Sequence, residues 1–507
     1  MRKLLFAVFI LFSETLIAQT YNLDFDARVV KNYSVLKSGT TVRLHSMTHT
    51  QTMQKTPGGQ EFRVDNYILS TSEGDVKVKD KLEKVLEVKY RNAQEFWDTQ
   101  ILFNVLEFLS KRGTMEDLRA EMEDDVLDYI NWANTKGVTF DDPFLESYIY
   151  SIISKLAPSV LIDGRPGNIN LLICSDLEAN AAMYPNGTLV ITTGLLSLLH
   201  TEDELAAILA HEIAHFVMDH SVQNRYKIEK AQRRAEFWAS LATGIAAGSE
   251  IYMATKNPYY RPGALTYSVA VAASQISSAY CDRLGMKYSR EQEDEADKAA
   301  CELMKVVGYD TNALATALSR IEEAMKQERS IKMYFASDHP ALVERIEKAG
   351  IPSVKIDQHF ERVISYAVSD AAYMKMQDRR FRQALPLVSQ NIKRGVAIAD
   401  DYILKANCLL YMRNDDQVYG EVTSLISEAK KIAPNNINIY KTELIAVFRH
   451  KEYAQSKLLL KAYMDRLQLM MKKEENYPEK YWDQLYNYVL TETRWANNMA
   501  IKLKSFN

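Results

Sequence analysis

Cysteine is scarce: four in 507 residues, too few for a disulfide scaffold. No charge of one sign dominates either. The 62 Lys+Arg nearly cancel the 66 Asp+Glu, and a formal net charge of −4 argues against a nucleic-acid partner. Short basic clusters such as Arg379, Arg380 and Arg382 fall in a helical pattern and read as solvated faces. No apolar run reaches the roughly 20 residues that cross a bilayer. Phe237 to Gly248 is short and closed by Glu250, and Ala264 to Tyr280 is interrupted by Thr266, Ser268, Gln275 and other polar residues. Both read as packed helices about a turn over Pro258 to Gly263, with peripheral membrane contact left open. What the chain does have is 47% apolar and 25% charged residues, the balance of folded protein, in a length about three times that of a usual domain.

The first residues have the pattern of an export signal. Arg2 and Lys3 precede nine apolar residues, Leu4 to Phe12; Glu14 stops the run and Ala18 offers a cleavage point before Gln19. Export makes a disulfide permissible. Cys281 and Cys301 lie nearest to one another, whereas Cys174 and Cys408 are isolated, and all four also suit buried apolar positions. Strands are expected over Thr40 to Leu44 and Phe62 to Leu69, with His45 and His49 as surface strand residues. Helices follow to about Ala133, and Asp142-Pro143 opens another. Strands recur at Ile169 to Cys174 and at Thr188 to Thr192, the latter expected at a sheet edge. Helix then dominates from Thr201 to about Ile351. Beyond Pro352, Phe381…Ala384 recurs as Tyr453…Ser456, an offset of two units of about 36 residues, close to the tetratricopeptide period.

Chemistry enters with one helix. Thr201 and Glu204 have the spacing of a capping box. From Leu205 to Met218 every residue is apolar except His211, Glu212 and His215. A helix apolar all round is buried, and buried polar groups are costly without partners. His211 and His215 stand one above the other on one face, able to hold a single zinc ion, with Glu212 beside them within reach of a water. A third ligand comes from a second helix, which Ser289 and Gln292 cap. There Glu293, Asp297, Ala300 and Met304 share a face, so Glu293 completes the site and Asp297 can take a proton from a ligand histidine. Glu291, Asp294 and Glu295 point elsewhere and read as solvent acids. His200 and His220 bracket the first helix off its metal face and read as solvent or capping groups.

These residues stand in a recognisable order. Asn180-Ala181, Pro185-x-Gly187, Thr193-Gly194-Leu195-Leu196, His211-Glu212-Ile213-Ala214-His215, Ser289-Arg290 before Glu293 and Ala296-Asp297, and His339-Pro340 with Arg345-Ile346 resemble the zinc metallopeptidases that include HtpX and the CAAX prenyl endopeptidases. The resemblance covers about residues 141–350. It implies a gluzincin with one zinc ion held by His211, His215 and Glu293, and Glu212 as the base. His339 is either a helix N-terminal residue before Pro340 or a group over the metal, stabilising an oxyanion or capping a closed site. Without membrane helices between its metal motifs, and with a signal and a repeat-like tail, the chain is more similar to the soluble BepA-type branch, linked to quality control and assembly of outer-membrane proteins.

The expected fold is mainly α with a small β-sheet: a gluzincin-type metallopeptidase core, a helical-repeat C-terminal domain and a mixed α/β N-terminal region. The expected parts are a signal over 1–18, an unassigned region over 19–140, the peptidase over 141–350 and a tetratricopeptide-like tail over 351–507. The expected activity is zinc endopeptidase action on misfolded or stalled exported proteins, in the periplasm if the cell has two membranes. A chaperone or assembly factor working through the tail, in contact with outer-membrane assembly machinery, is the alternative.

Overall fold

The computed structural model describes residues 15–55, 61–79, 81–104, 112–136, 138–162, 165, 167–228, 286–327, 342–471 and 479–506. The expected apolar signal up to Phe12, the paired helices between Phe237 and Tyr280, Cys281 and His339 lie outside these residues.

Alternating residues build a five-stranded antiparallel sheet first. Strands β1 (Thr15–Val29), β2 (Thr41–Lys55), β3 (Glu61–Thr71), β4 (Gly74–Val78) and β5 (Leu86–Val88) take the order β4-β3-β2-β1-β5. Tyr21, Leu23, Phe25, Ala27 and Val29 face inward while the residues between them face out, the period of two that one buried face demands. The strands run much longer than the two short segments their composition marks. His49 is also not a surface residue: it is buried, its Nε2 lies 2.9 Å from Asp65 Oδ1, and its ring stacks on Tyr67. Asp65 of β3 satisfies its ring nitrogen and Tyr67, on the same strand and opposite His49, covers the ring, which single-strand alternation cannot reveal.

Helices α1 (Ala93–Asn104) and α2 (Arg112–Lys136) follow, then α3 (Pro143–Leu156), whose N-cap Asp142 accepts from the Phe144 and Leu145 N–H groups. Strands β6 (Asn170–Cys174), β7 (Ala181–Met183) and β8 (Thr188–Thr192) form a second sheet in the order β6-β8-β7. Here an expectation is overturned. Thr188 to Thr192 is the central strand, parallel to β6 and antiparallel to β7, because the Tyr184-to-Gly187 turn folds β7 back onto it. The outer side of β6 is met by residues 138–140, through Phe140 N–H to Ile173 O and Ser175 N–H to Val138 O. Short helix α4 (Thr193–Leu196) then packs so tightly that a Cβ on Gly194 would lie 2.5 Å from the Glu178 carbonyl oxygen.

Helix α5 (Glu202–Val217) crosses the centre with α6 (Arg290–Val307) and α7 (Ala313–Gln327) against it, and α8 (Leu342–Ala349) packs on α7 and α6. Every α5 residue from Glu204 to Val217 is buried. Its core draws on both sides of the chain: Phe96, Trp97 and Ile101 of α1, and Phe360 to Ala372 with Leu387 and Val388 beyond α8. Those last residues belong to α9 (Gln358–Val363), α10 (Ser365–Gln377) and α11 (Phe381–Arg394). Five more helices follow: α12 (Ala399–Met412), α13 (Asp416–Ile432), α14 (Ile437–Arg449), α15 (Tyr453–Met470) and α16 (Glu479–Lys504), each packed on the preceding one. Ala384 and Ser456, the small residues of the recurring pattern, are fully buried one turn into α11 and α15. No helix among the described residues is long and apolar enough to cross a membrane.

Asp176, in the loop that α4 and α10 cover, accepts from the Glu178 N–H, and burial pushes its carboxyl up to about 7. From its ordinary value of 3.8 to about 7 the unfolded chain releases this proton while the folded chain keeps it. The folded state is therefore favoured by this group at acid pH and loses that advantage as pH rises toward 7. Asp176→Asn, which keeps the acceptor, is expected to raise the melting temperature more at about pH 8 than at about pH 5. Equal shifts at the two pH values would show the carboxylate is not strained by burial.

Candidate metal centre

The site is made where α5 passes α6. Thr201 Oγ1 accepts from the Glu204 N–H and starts α5, but the capping box is only half formed. The Glu204 carboxylate takes the His200 N–H and the Arg320 guanidinium instead. At the other end Arg165 donates to the Phe216 and Val217 carbonyls, satisfying acceptors the helix leaves open. Helix α6 has the full reciprocal box, Ser289 with Gln292, and ends on Gly308 at a left-handed φ of 86°.

His211 Nε2 and His215 Nε2 face one another 3.1 Å apart, and Glu293 reaches them with separate oxygens at 3.6 and 3.4 Å. These spacings are near the ~3.3 Å edge of a tetrahedron with bonds of about 2.0–2.1 Å. His211 Nδ1 lies 2.8 Å from Asp297 Oδ1, so its proton sits there and Nε2 keeps a lone pair. Burial drives His215 well below its ordinary pKa, leaving it neutral, the form that ligates metal. Two imidazole lone pairs and a carboxylate converge here in a buried core. This donor set fits a divalent metal ion, and His211, His215 and Glu293 could hold one.

Glu212 is fully buried beside this face, and its Oε2 accepts the Met183 N–H of β7 at 3.2 Å. The base named from the sequence thus touches an edge strand, though that strand is β7 and not Thr188 to Thr192. Tyr288, just before α6, stacks on the His215 ring at a centroid distance of 3.6 Å.

Sequence reasoning passed over three groups. Arg345, quoted only as part of a late motif, is buried inside the site. Its Nε and Nη2 bond to Asp297 at 2.7 and 2.8 Å, and its Nη1 lies 2.6 Å from Glu293 Oε2. Burial opposes its charge, but Asp297 and Glu293 outweigh that and hold the guanidinium above its ordinary pKa. Burial likewise works to raise Asp297, and Arg345 with His211 brings it below its ordinary value. The available signal was a charge sharing the inward face of α8 with Leu342. His220 is the second correction: it is buried against His215, Nδ1 to Nδ1 at 2.8 Å. Glu295 is the third, only half exposed, with one oxygen 3.5 Å from His220 Nε2 and the other on Lys81 Nζ at 3.1 Å. His220 holds its carboxyl down at about 2. His200 lies at the side, paired through Nδ1 with Glu361, which also binds Arg394.

A buried His-x-x-x-His helix facing a glutamate helix, under a small mixed sheet, is a gluzincin-type metallopeptidase core. Residues 143–350 match the family model described as peptidase family M48, so this part of the chain is similar to that family. It is 23% identical over 313 residues to the putative beta-barrel assembly-enhancing protease of Vibrio cholerae, covering 61% of this chain and 60% of that one. It is 25% identical over 193 residues to the beta-barrel assembly-enhancing protease of Escherichia coli, covering 38% of this chain and 36% of that one. The mitochondrial metalloendopeptidase OMA1 of Schizosaccharomyces pombe is 28% identical over 178 residues, 35% of this chain and 44% of that protein. The chain thus spans less than two thirds of each of these relatives.

Arg345→Ala leaves Asp297 and Glu293 buried without their shared cation. It is expected to cost about 3–5 kcal/mol in the metal-free protein, read as a lowered denaturation midpoint. Arg345→Lys should recover only part, because an ammonium lacks the two-pronged contact. A midpoint unchanged by Arg345→Ala would refute the neutralising role.

Proposed function

We propose that this protein is an exported zinc-dependent endopeptidase that cleaves misfolded or stalled envelope proteins. The observation that carries the reading is the meeting of the His211, His215 and Glu293 donor atoms beside a buried Glu212 that itself touches β7. Zinc, when bound, supplies a Lewis acid that brings the pKa of a coordinated water to about 7. Glu212 takes the proton of the attacking water and passes it to the departing amine. Asp297 holds His211 by its Nδ1 proton, and Arg345 keeps Asp297 charged. His339 is proposed to act over the metal as an oxyanion donor or cap.

Among the described residues β7 has a strand on one side only, so an extended peptide can pair with its other edge, next to Glu212. Main-chain pairing of this kind selects unfolded segments over particular side chains. Export is supported by the basic and apolar start of the chain. A cut after Ala18 shortens β1 and leaves Gln19 to Arg28 to pair with β2. The proposed parts remain a signal over 1–18, a peptidase over 141–350 and a tetratricopeptide-like partner-binding tail from 351.

One observation favours the second reading, an assembly factor or chaperone with latent proteolysis. The tail carries a groove of about 950 Å³ lined by Tyr366, Tyr373, Asn407, Asn438, Lys441 and Glu492, while His211, Glu212, His215 and Glu293 are all shut from solvent. Incubation of the mature chain with an unfolded protein separates the two. Cleavage is expected to stop with a chelator, return with zinc, and fall by roughly 10²–10⁴-fold in Glu212→Gln. A zinc-loaded chain that cleaves nothing would replace the first reading with the second.

A further inference from the structure

A zinc-binding His215 must carry its proton on Nδ1, so that Nε2 can face the metal. The atom that meets this Nδ1 is another imidazole nitrogen, His220 Nδ1, 2.8 Å away. Two nitrogens at that distance share one proton. If His215 owns it, His220 must accept, and its own proton moves to Nε2, which faces Glu295 Oε2 at 3.5 Å. The three protonation states are thus one choice, and the carboxylate at the outer end decides it. Lys81 fixes that carboxylate by its other oxygen.

We infer that His220 is a positioning residue for the metal centre, holding His215 in the Nδ1–H tautomer through a Glu295–His220–His215 relay. Asp297 serves His211 directly; His215 is served through a second imidazole. The inference rests on His215 being a metal ligand.

The fold builds the relay deliberately. Five residues along an unbroken helix turn His220 about 140° away from His215, off the metal face. Helix α5 instead stops at Val217, and Asp219 takes a left-handed φ of 63° that swings His220 back under the His215 ring. That conformation is costly for a residue with a Cβ and needs support. Arg119 of α2 supplies it by gripping both Asp219 oxygens at 2.7 and 2.6 Å, with Arg165 Nη1 at 3.5 Å. A residue from the otherwise unassigned N-terminal region therefore holds the turn on which the relay depends.

The test is zinc affinity of the full chain, measured by competition with a chromophoric chelator. His220→Leu, which removes the acceptor, is expected to weaken zinc binding about 10–100-fold, while His220→Asn, whose Oδ1 replaces Nδ1, should retain most of it. Adding His220→Leu to His215→Ala should cause no further loss. Wild-type affinity in His220→Leu, or equal losses in the Leu and Asn variants, would overturn the relay while leaving the zinc site intact. If His220→Leu does not fold, Glu295→Ala at its half-exposed position decides, and unchanged affinity there rejects the relay. A native chain that binds no zinc would remove the metal-site reading and this inference with it.

Discussion

The pairing of opposite charges inside a dry core is the constraint around which this molecule is arranged. Between α5 and α6 lie two imidazoles, the carboxylates of Glu293 and Asp297 and the guanidinium of Arg345, all buried. None could stay there alone, since an isolated buried charge loses far more hydration than packing returns. Each therefore has a partner whose position is set by a different element: Asp297 from α6 on His211 of α5, and Arg345 from α8 on both α6 carboxylates. The apolar wall that makes those pairs strong also makes them obligatory.

Keeping such a cluster in register requires that α5 not slide or fray. Thr201 and Glu204 hold its start, and Glu204 is in turn held by Arg320 of α7. Arg165 and the Asp219 turn hold its end. The surrounding core crosses the chain from Trp97, whose indole N–H bonds to the Leu156 carbonyl, to Phe360 and Val388. Packing on this scale converts the side chains of distant segments into walls of one site. The tail is joined to it by charge as well as by packing, through His200, Glu361 and Arg394.

Much of this was legible. The run from Leu205 to Met218 announces a buried helix by having only three polar residues, and the α6 stripe of Glu293, Ala296, Asp297 and Ala300 announces its facing partner. Period and capping are local properties, so sequence reports them well. Strand order is not local: Thr188 to Thr192 has the same five residues whether it lies at an edge or in the middle, and the Tyr184-to-Gly187 turn decides which. His49, half of a cross-strand pair with Tyr67, has the sequence pattern of a surface residue for the same reason.

The sequence by itself determined the chemistry on offer: a His-Glu-x-x-His helix, a capped glutamate helix, and faces that must meet because both are apolar elsewhere. Only the tertiary structure decided the partners of those groups. His220 sits on the wrong side of any continued helix, and it became a neighbour of His215 because Asp219 turns the chain in a conformation that Arg119, a hundred residues earlier, stabilises. Arg345 is an ordinary helix cation until α8 docks and no water is left to solvate it. Helical period fixes which residues share a face, but the dielectric surroundings and the groups across the gap come from segments that no local pattern connects.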